Sequence, residues 1–327
     1  VLTTQSPTIH GTSLIQANVP LADKNWFRTG GNARWYCEPT TTVEFQTALT
    51  FAQDNGLEIF VLGQGANVLI SDEGFDGLVI RPRLQKLMIL PMQKNTEKVF
   101  LHAGAGATIN DVIEFCLDNH ILGLEEFSGI PGTIGGAVFI NLHYFQFLLD
   151  HFLVEAEIVN KNTGEVKVVS KDWFNFGYNQ SSLHTKSYYL THATFALTQG
   201  TDTEIAYAKG RRTEIMRHRV QRYPQTYTCG SFFRNFHEHE VTLVSNGKKM
   251  IYVAYYLDKI GIKGELVVGD ATVSYQHANM IVNRGNATST DIINIAHTMQ
   301  QLVYDQFGIV PQPECQLIGF KLWPLHT

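Results

Sequence analysis

The groups best placed to do chemistry in this chain are backbone amides. Residues 128–137 read SGIPGTIGGA, with four glycines, one proline and no charge in ten positions. Apolar sequence runs into the segment (GLEEF) and out of it (VFI), whereas a surface loop is usually polar, so this loop points inward. Glycine there allows positive φ and close approach of something flat or bulky to the backbone. Two further blocks lie upstream, RTGGNA (28–33) and LGQGANVLISD (62–72). N–H groups in such turns bind a pyrophosphate without a helix dipole. The alternative is three ordinary tight turns, and their position at successive strand ends weakens it. The three blocks point to backbone wrapped around a large cofactor.

Other chemistries fit less well. GQGANVL fails the pattern G-x-G-x-x-G because position 68 is Val, and a strand-like run rather than a helix follows it. The four cysteines (Cys37, Cys116, Cys229, Cys315) are far apart with no CxxC pair, which favours reduced thiols over a zinc site. No His, Asp or Glu cluster has metal-ligand spacing, so no metal is expected, and His277 reads as a packing or hydrogen-bonding residue.

The elements that must position the glycine blocks are legible from periodicity. Residues 40–56 form a helix with Thr41 and Glu44 as a capping box, Phe45, Leu49 and Ala52 on one face, and Gly56 as its stop. Residues 57–63 and 77–84 read as strands, and 98–107 as a strand ending in a glycine turn. Residues 108–120 form a second helix capped by Thr108 and Asp111. The segment 154–170 is a hairpin turning at Asn162-Thr163-Gly164, and 188–197 alternates as a strand. Beyond residue 200 come a basic helix (201–223) and two amphipathic helices (248–261 and 288–308). In the last, Ile292, Ile295, Met299, Leu302 and Val303 share a face. Between those two helices, 271–283 is strand-like at its end, while residues 1–24 read as polar and irregular. The result is two mixed α/β lobes rich in glycine turns, followed by a smaller α/β lobe.

Composition sets the outer limits. With 327 residues, 44% hydrophobic and 17% charged, the chain has material for two or three cores. A net charge of −5 without a basic stripe argues against non-specific nucleic-acid binding, so no nucleic-acid partner is expected. The longest apolar run, 145–154, is broken by Asp150 and His151 and falls short of the ~20 residues that span a bilayer, so no membrane is expected. The start at Val1 leaves a processed, trimmed or partial N-terminus open, and VLTTQSPTIHGTS lacks the apolar core of a signal peptide.

Taken together, RTGGNARWYCEP, VLGQGANVLISDEGFDGLVI, AGAGATINDVIEFC and GLEEFSGIPGTIGGAVFIN resemble the FAD-binding half of UDP-N-acetylenolpyruvoylglucosamine reductases. The resemblance continues in order through FGYNQS, GSFFRN, VSYQHANMIVNRGNATSTDI and FGIVPQPECQLIG, over roughly residues 25–320. It implies an α/β (α+β) chain: a two-lobed FAD-binding fold of the vanillyl-alcohol-oxidase/PCMH type plus a C-terminal α/β substrate-binding domain. The implied partition is 1–86, 87–204 and 205–327, with the C-terminal strand returning to the flavin site. The implied reaction is NADPH-dependent reduction of UDP-N-acetylglucosamine enolpyruvate to UDP-N-acetylmuramate through FAD. It is a cytoplasmic step of peptidoglycan precursor synthesis, serving cell-wall biogenesis, cell shape and division, and is carried out by a monomer.

The resemblance also assigns residues. FAD contacts fall on Arg28, Gly30, Gly31, Leu62, Gly63, Gln64, Gly65, Ala66, Asn67, Val68, Leu69, Gly104, Ala105, Gly106, Ser128, Gly129, Pro131, Gly132, Thr133, Gly135, Gly136, Ala137 and Asn141. Tyr178, Arg222, Arg234, Asn235 and Gln276 stand at positions suited to the nucleotide diphosphate. Ser231 matches the family's proton donor; a serine hydroxyl is a weak acid suited to a strongly basic carbanion. Glu314 matches the C-terminal active-site glutamate, where partial burial would raise its pKa and let a neutral carboxyl donate to the developing anion.

Two positions depart from the family. Its Tyr-Arg-x-Ser motif reads Tyr178-Asn179-Gln180-Ser181 here, replacing a cation by a neutral amide. Loss of a desolvated charge-assisted contact would cost ~2–4 kcal/mol. Either another cation substitutes, with Arg222 and Arg234 as candidates, or activity is weakened or redirected. After Asn141, bulky Leu142 to Phe147 replace a small Gly-Ala-Tyr-Gly turn, narrowing the flavin pocket or rerouting the loop. The short interval between Tyr178 and Ser231 resembles the family's shorter form, which lacks an extra loop closing over the substrate. Two rivals stay open: a flavin oxidase of the same fold, and a divergent paralogue that binds flavin or nucleotide sugar without turnover.

Overall fold

A computed structural model describes residues 8–9, 12–91 and 97–327. The chain divides into two compact units, interleaved along the sequence. The first comprises 1–17, 35–64 and 77–219, and the second 18–34, 65–76 and 220–327. The division differs in number and boundaries from the three lobes expected at 1–86, 87–204 and 205–327. Its physical reason is visible inside the second unit, where segments near residues 27 and 70 are hydrogen-bonded to the C-terminal part of the chain.

In the first unit, helix α1 (Thr42–Asp54) starts where expected: the Thr41 hydroxyl accepts from the Glu44 N–H at 3.1 Å. Its apolar face buries Phe45, Ala48, Leu49, Phe51 and Ala52. Strand β1 (Ile59–Val61) runs parallel to the end of β2 (Phe75–Ile80), pairing Ile59 with Leu78. Both strands are shorter or shifted relative to 57–63 and 77–84. The central sheet is antiparallel and built from β3 (Leu87–Ile89), β4 (Lys98–Gly104), β7 (Leu153–Asn160), β8 (Val166–Ser170) and β9 (Tyr188–Gln199), with the short strand Ile121–Leu122 pairing to the end of β9. The order β8-β7-β9-β4-β3 puts Ala156, Ala193 and Ala103 in one register across three strands. Helix α2 (Ile109–Asp118), capped by Thr108, covers this sheet's core together with α3 (Ile134–Phe139).

Helix α3 was not expected, because the loop 128–137 reads as turn sequence throughout. Two adjacent glycines hide a single helical turn and a half, nucleated by the Thr133 hydroxyl accepting from Gly136 N–H and anchored by buried Ile134, Ala137 and Val138. The following strands β5 (His143–Tyr144) and β6 (Phe147–Leu148) make a tight hairpin. Helix α4 (Asp202–Arg222) completes the series.

The second unit packs α5 (Val253–Ile260) and α6 (Ser289–Phe307) against short strands β10 (Ala271–Val273) and β11 (Ile281–Asn283). Residues 248–249 lie in a separate two-residue strand, so α5 is shorter than 248–261. Ile292, Ile295, Met299 and Val303 of α6 are fully buried, with Leu302 at the edge of the core. Thr288 caps α6, and Ser289 donates through both N–H and hydroxyl to Asp72 at 2.8 Å. Strand β12 (Gln316–Ile318) pairs in parallel with Val68–Ile70, so the C-terminal segment returns to the glycine block at 62–72. Of the 1–24 segment read as irregular, the first residues lie outside the described ones, and Ile15–Pro20 is a strand. The four cysteines are free and buried, two in each unit. Burial pushes the Cys37 and Cys116 thiols up to about 12 and raises that of Cys315.

Candidate active site

In the first unit, three glycine-containing segments are knitted together. Gly132 N–H donates to the Gln64 side chain at 2.8 Å, joining 62–64 to the 128–137 loop. Ile134 N–H donates to Ala107 O (2.9 Å) and Gly135 N–H to Ala105 O (2.8 Å), joining that loop to 104–107. Several of the required glycines answer to the chain's own backbone. A Cβ at Gly106 would collide with the Pro82 carbonyl. Ser128 is spent locally, its hydroxyl donating to Glu125 O at 2.5 Å. Asn141 likewise holds the β5–β6 hairpin, its amide oxygen accepting from Asp150 N–H at 3.2 Å.

In the second unit, residues 25–31 lie along 65–71. Trp26 N–H donates to Gly65 O (3.0 Å) and Gly31 N–H to Ser71 O (2.9 Å). Gly65 has φ +68°, and a Cβ there would lie 2.6 Å from the Asn25 Cα. Arg28, between these turns, also has positive φ (59°).

Ser231 and Glu314 also lie in the second unit, on adjacent segments. The Phe232 carbonyl accepts from Glu314 N–H (2.8 Å) and Cys315 N–H (3.2 Å), and Arg234 N–H donates to Gln312 O (2.9 Å). Both side chains are half-buried. The segment is clamped from its other side by Asn279, which sequence reasoning missed. Its amide accepts from Phe233 N–H (3.1 Å) and donates to Phe233 O (2.8 Å), and its carbonyl accepts from Phe232 N–H (2.8 Å). The signal was a buried-type Asn inside the apolar VSYQHANM run, close to where strand pairing was expected. Gln316 N–H donates to Asn67 O, and the Asn67 amide reaches Glu314 O at 3.4 Å, tying GQGANVL to the glutamate.

The residues expected at the diphosphate are placed unequally. Arg234 is locked bidentate on Glu240 at 2.7 and 2.8 Å, and that bond holds the Glu240 carboxyl down at about 2. Its charge is matched locally, which makes it the poorer replacement for a cation at 179. Arg222 is exposed, 6.0 Å from the Tyr223 ring. The Gln276 amide caps the end of α4 through Val220 O and Gln221 O, and Asn235 is half-buried. His277 Nδ1 accepts from Asn279 N–H (3.3 Å), and the ring lies obliquely on Tyr223; burial lowers its pKa.

Tyr178 and Asn179, in the first unit, form a two-residue turn closed by mutual bonds between Gly177 and Gln180. Asn179 adopts φ 53°, a conformation Asn tolerates better than other side chains. Both polar atoms of its amide are buried without a partner. The 142–147 segment forms a hairpin: Leu142 is buried in the core, and the chain turns at exposed Phe145 (φ 51°).

These sites fit FAD. Buried polar atoms without a partner in the chain recur beside the glycine turns, at Asn25 Oδ1, Thr29 Oγ1 and Asn67 Oδ1. A buried polar atom left unpaired costs ~1–3 kcal/mol, so a polar ligand is the economical partner. Among the described residues no group of three or more His, Cys, Asp or Glu could hold a metal, and no helix is long and apolar enough to cross a membrane.

A family model described as FAD binding domain matches residues 33–170, and one described as UDP-N-acetylenolpyruvoylglucosamine reductase, C-terminal domain, matches 221–318. The chain is 34% identical over 309 residues to the UDP-N-acetylenolpyruvoylglucosamine reductase of Synechococcus sp. (strain JA-3-3Ab), covering 93% of this chain and 91% of that one. It is 33% identical to the enzyme of that name from Lactobacillus delbrueckii subsp. bulgaricus, covering 93% and 95%. The crystal structure of UDP-N-acetylenolpyruvylglucosamine reductase from Thermus caldophilus matches with a TM-score of 0.72 at 25% identity, covering 93% of this chain and 98% of that one.

Proposed function

The chain belongs to the UDP-N-acetylenolpyruvoylglucosamine reductase family, and from that premise we propose that it reduces UDP-N-acetylglucosamine enolpyruvate to UDP-N-acetylmuramate. It is an FAD-dependent oxidoreductase of peptidoglycan precursor synthesis. NADPH as reductant, a cytoplasmic location, a monomeric state and roles in cell shape and division belong to the same reading. So does the finer partition into two FAD-binding lobes and a substrate lobe.

When bound, FAD supplies the hydride that reaches the β-carbon of the enolpyruvyl ether. The glycine turns at 28–31, 62–69, 104–106 and 128–137 would hold it. The chain's own residues do the rest. Negative charge builds on the α-carbon and its carboxylate as the hydride arrives. Ser231 Oγ–H gives its proton to the α-carbon, and a protonated Glu314 would donate a hydrogen bond to the developing charge. Asn179 offers its unpartnered amide N–H to the carboxylate, and Tyr178, Arg222 and Asn235 serve the diphosphate.

The observation that carries this reading is the Phe232 carbonyl. It binds the Glu314 and Cys315 amides at once, fixing the serine and glutamate segments side by side. The test is anaerobic: bleach the flavin with NADPH, then add the enolpyruvyl nucleotide sugar. Prompt reoxidation with formation of the muramate supports the reading. Bleaching without substrate-driven reoxidation overturns it and favours a non-catalytic paralogue, the reading that the neutral Asn179 keeps in view. Flavin left on the chain after denaturation would favour a tethered-flavin oxidase.

A further inference from the structure

The 142–147 segment reaches the turn that carries Asn179. The His143 ring centroid lies 5.1 Å from that of Tyr178, tilted by 48°, next to the turn that carries Asn179. His143 is half-buried on β5, at the base of the hairpin, and its ring nitrogens make no hydrogen bond to any described residue. The Asn179 amide nearby is buried and also unpartnered. A half-buried imidazole and a buried amide, both without partners in the chain, are donors awaiting an acceptor.

The surroundings select an anion. Tyr144, beside His143, lies under the Arg219 guanidinium at 5.9 Å. The Glu125–Phe127 turn packs against β5. Its Glu126 is neutralised by a bidentate Arg211 at 2.9 and 3.0 Å, and its Glu125 accepts from Gly123 N–H. Tyr178 brings a phenol. Asp150, just past the hairpin, has a buried Oδ1 without a hydrogen-bond partner, and no described carboxylate forms an ion pair with the imidazole. Burial alone lowers the His143 pKa, so the free protein holds it neutral near pH 7. A bound carboxylate supplies the counter-charge that burial withholds.

We propose that His143 and Asn179 together bind the substrate's carboxylate, the imidazole taking up one proton as that anion arrives. The proposal rests on the reductase reading. The 142–147 segment thereby returns the positive charge that Asn179 lacks, and returns it in a pH-dependent form.

The test compares wild-type holoenzyme with H143Q, N179R and the H143Q/N179R double variant. The KM for the enolpyruvyl nucleotide sugar is measured on both sides of about pH 6.5. Wild-type KM should rise about tenfold per pH unit above the imidazole pKa, because binding then takes a proton from water. In H143Q the slope should vanish, and low-pH KM should rise about tenfold to a hundredfold. The double variant should recover low KM without the slope. Calorimetry of UDP-N-acetylmuramate binding in buffers of different ionisation enthalpy counts the proton directly, without turnover. One proton taken up by wild type and none by H143Q supports the proposal. Equal proton counts and matching pH profiles, with flavin content and melting intact, overturn it. Flavin bleaching with muramate binding but no turnover overturns the reductase reading alone. Absence of any binding overturns both.

Discussion

In the second unit, Ser231 and Glu314 stand on segments joined through one carbonyl, and Asn279 satisfies both backbone groups of Phe233. In the first unit, Asn179 and His143 leave their polar atoms without partners. The difference separates two ways of building a site. A proton donor must be held within a fraction of an ångström, so side chains are committed to the backbone beneath it. Groups that receive a ligand are kept open, their missing bonds supplied by what binds. Substitution should therefore be read differently at the two places.

Three measurements would break or sharpen that contrast. The largest effect is expected at Ser231. Ser231→Ala should lower kcat about 10²–10⁴-fold, the range for loss of a general acid, and undiminished turnover would remove the serine from the mechanism. Next comes stability. Asn279→Leu strands the buried Phe233 N–H and C=O, at ~1–3 kcal/mol each, and should lower Tm by several degrees. Asn179→Gly removes no internal bond, relieves two stranded amide atoms and suits φ 53°, so it should not lower Tm. Equal losses of Tm would erase the distinction.

The smallest effect concerns acid. Glu240 is depressed to about 2 by Arg234, so the pair's contribution is whole above the ordinary carboxylate range. It is lost as pH falls from about 4.5 to about 2. His143 is depressed by burial, so its contribution is present above its ordinary pKa and fades as pH falls below about 6.5. Denaturant melts at stepped pH should show an E240Q-sensitive slope in the lower window and an H143Q-sensitive slope in the upper one. Both slopes in one window would contradict the assignment.

Much of this was legible beforehand because it rests on local rules. Thr41 and Thr108 announced two helix starts, and the 154–170 hairpin followed from its turn residues. The short helix at 134–139 was hidden, since glycine lowers helix propensity and only tertiary burial of Ile134, Ala137 and Val138 restores it. The glycine blocks were read as cofactor-facing, yet Gly65 and Gly106 are required by neighbouring backbone, a non-local contact that no spacing encodes. Arg234 was offered as a spare cation because Glu240 is close in sequence without looking like its partner. The approach of His143 to Tyr178 depends on a hairpin bending back on itself, and periodicity carries no trace of that.

The four sheltered thiols have a use of their own. Cys37 and Cys116 belong to the first unit, and Cys229 and Cys315 to the second. A folded chain should resist alkylation at all four, and mass-tagged adducts would appear only as each unit opens. The native sequence is thus already instrumented with two pairs of chemical clocks. Their relative rates would tell whether the units open together or one before the other, and whether flavin slows one pair, the other or both.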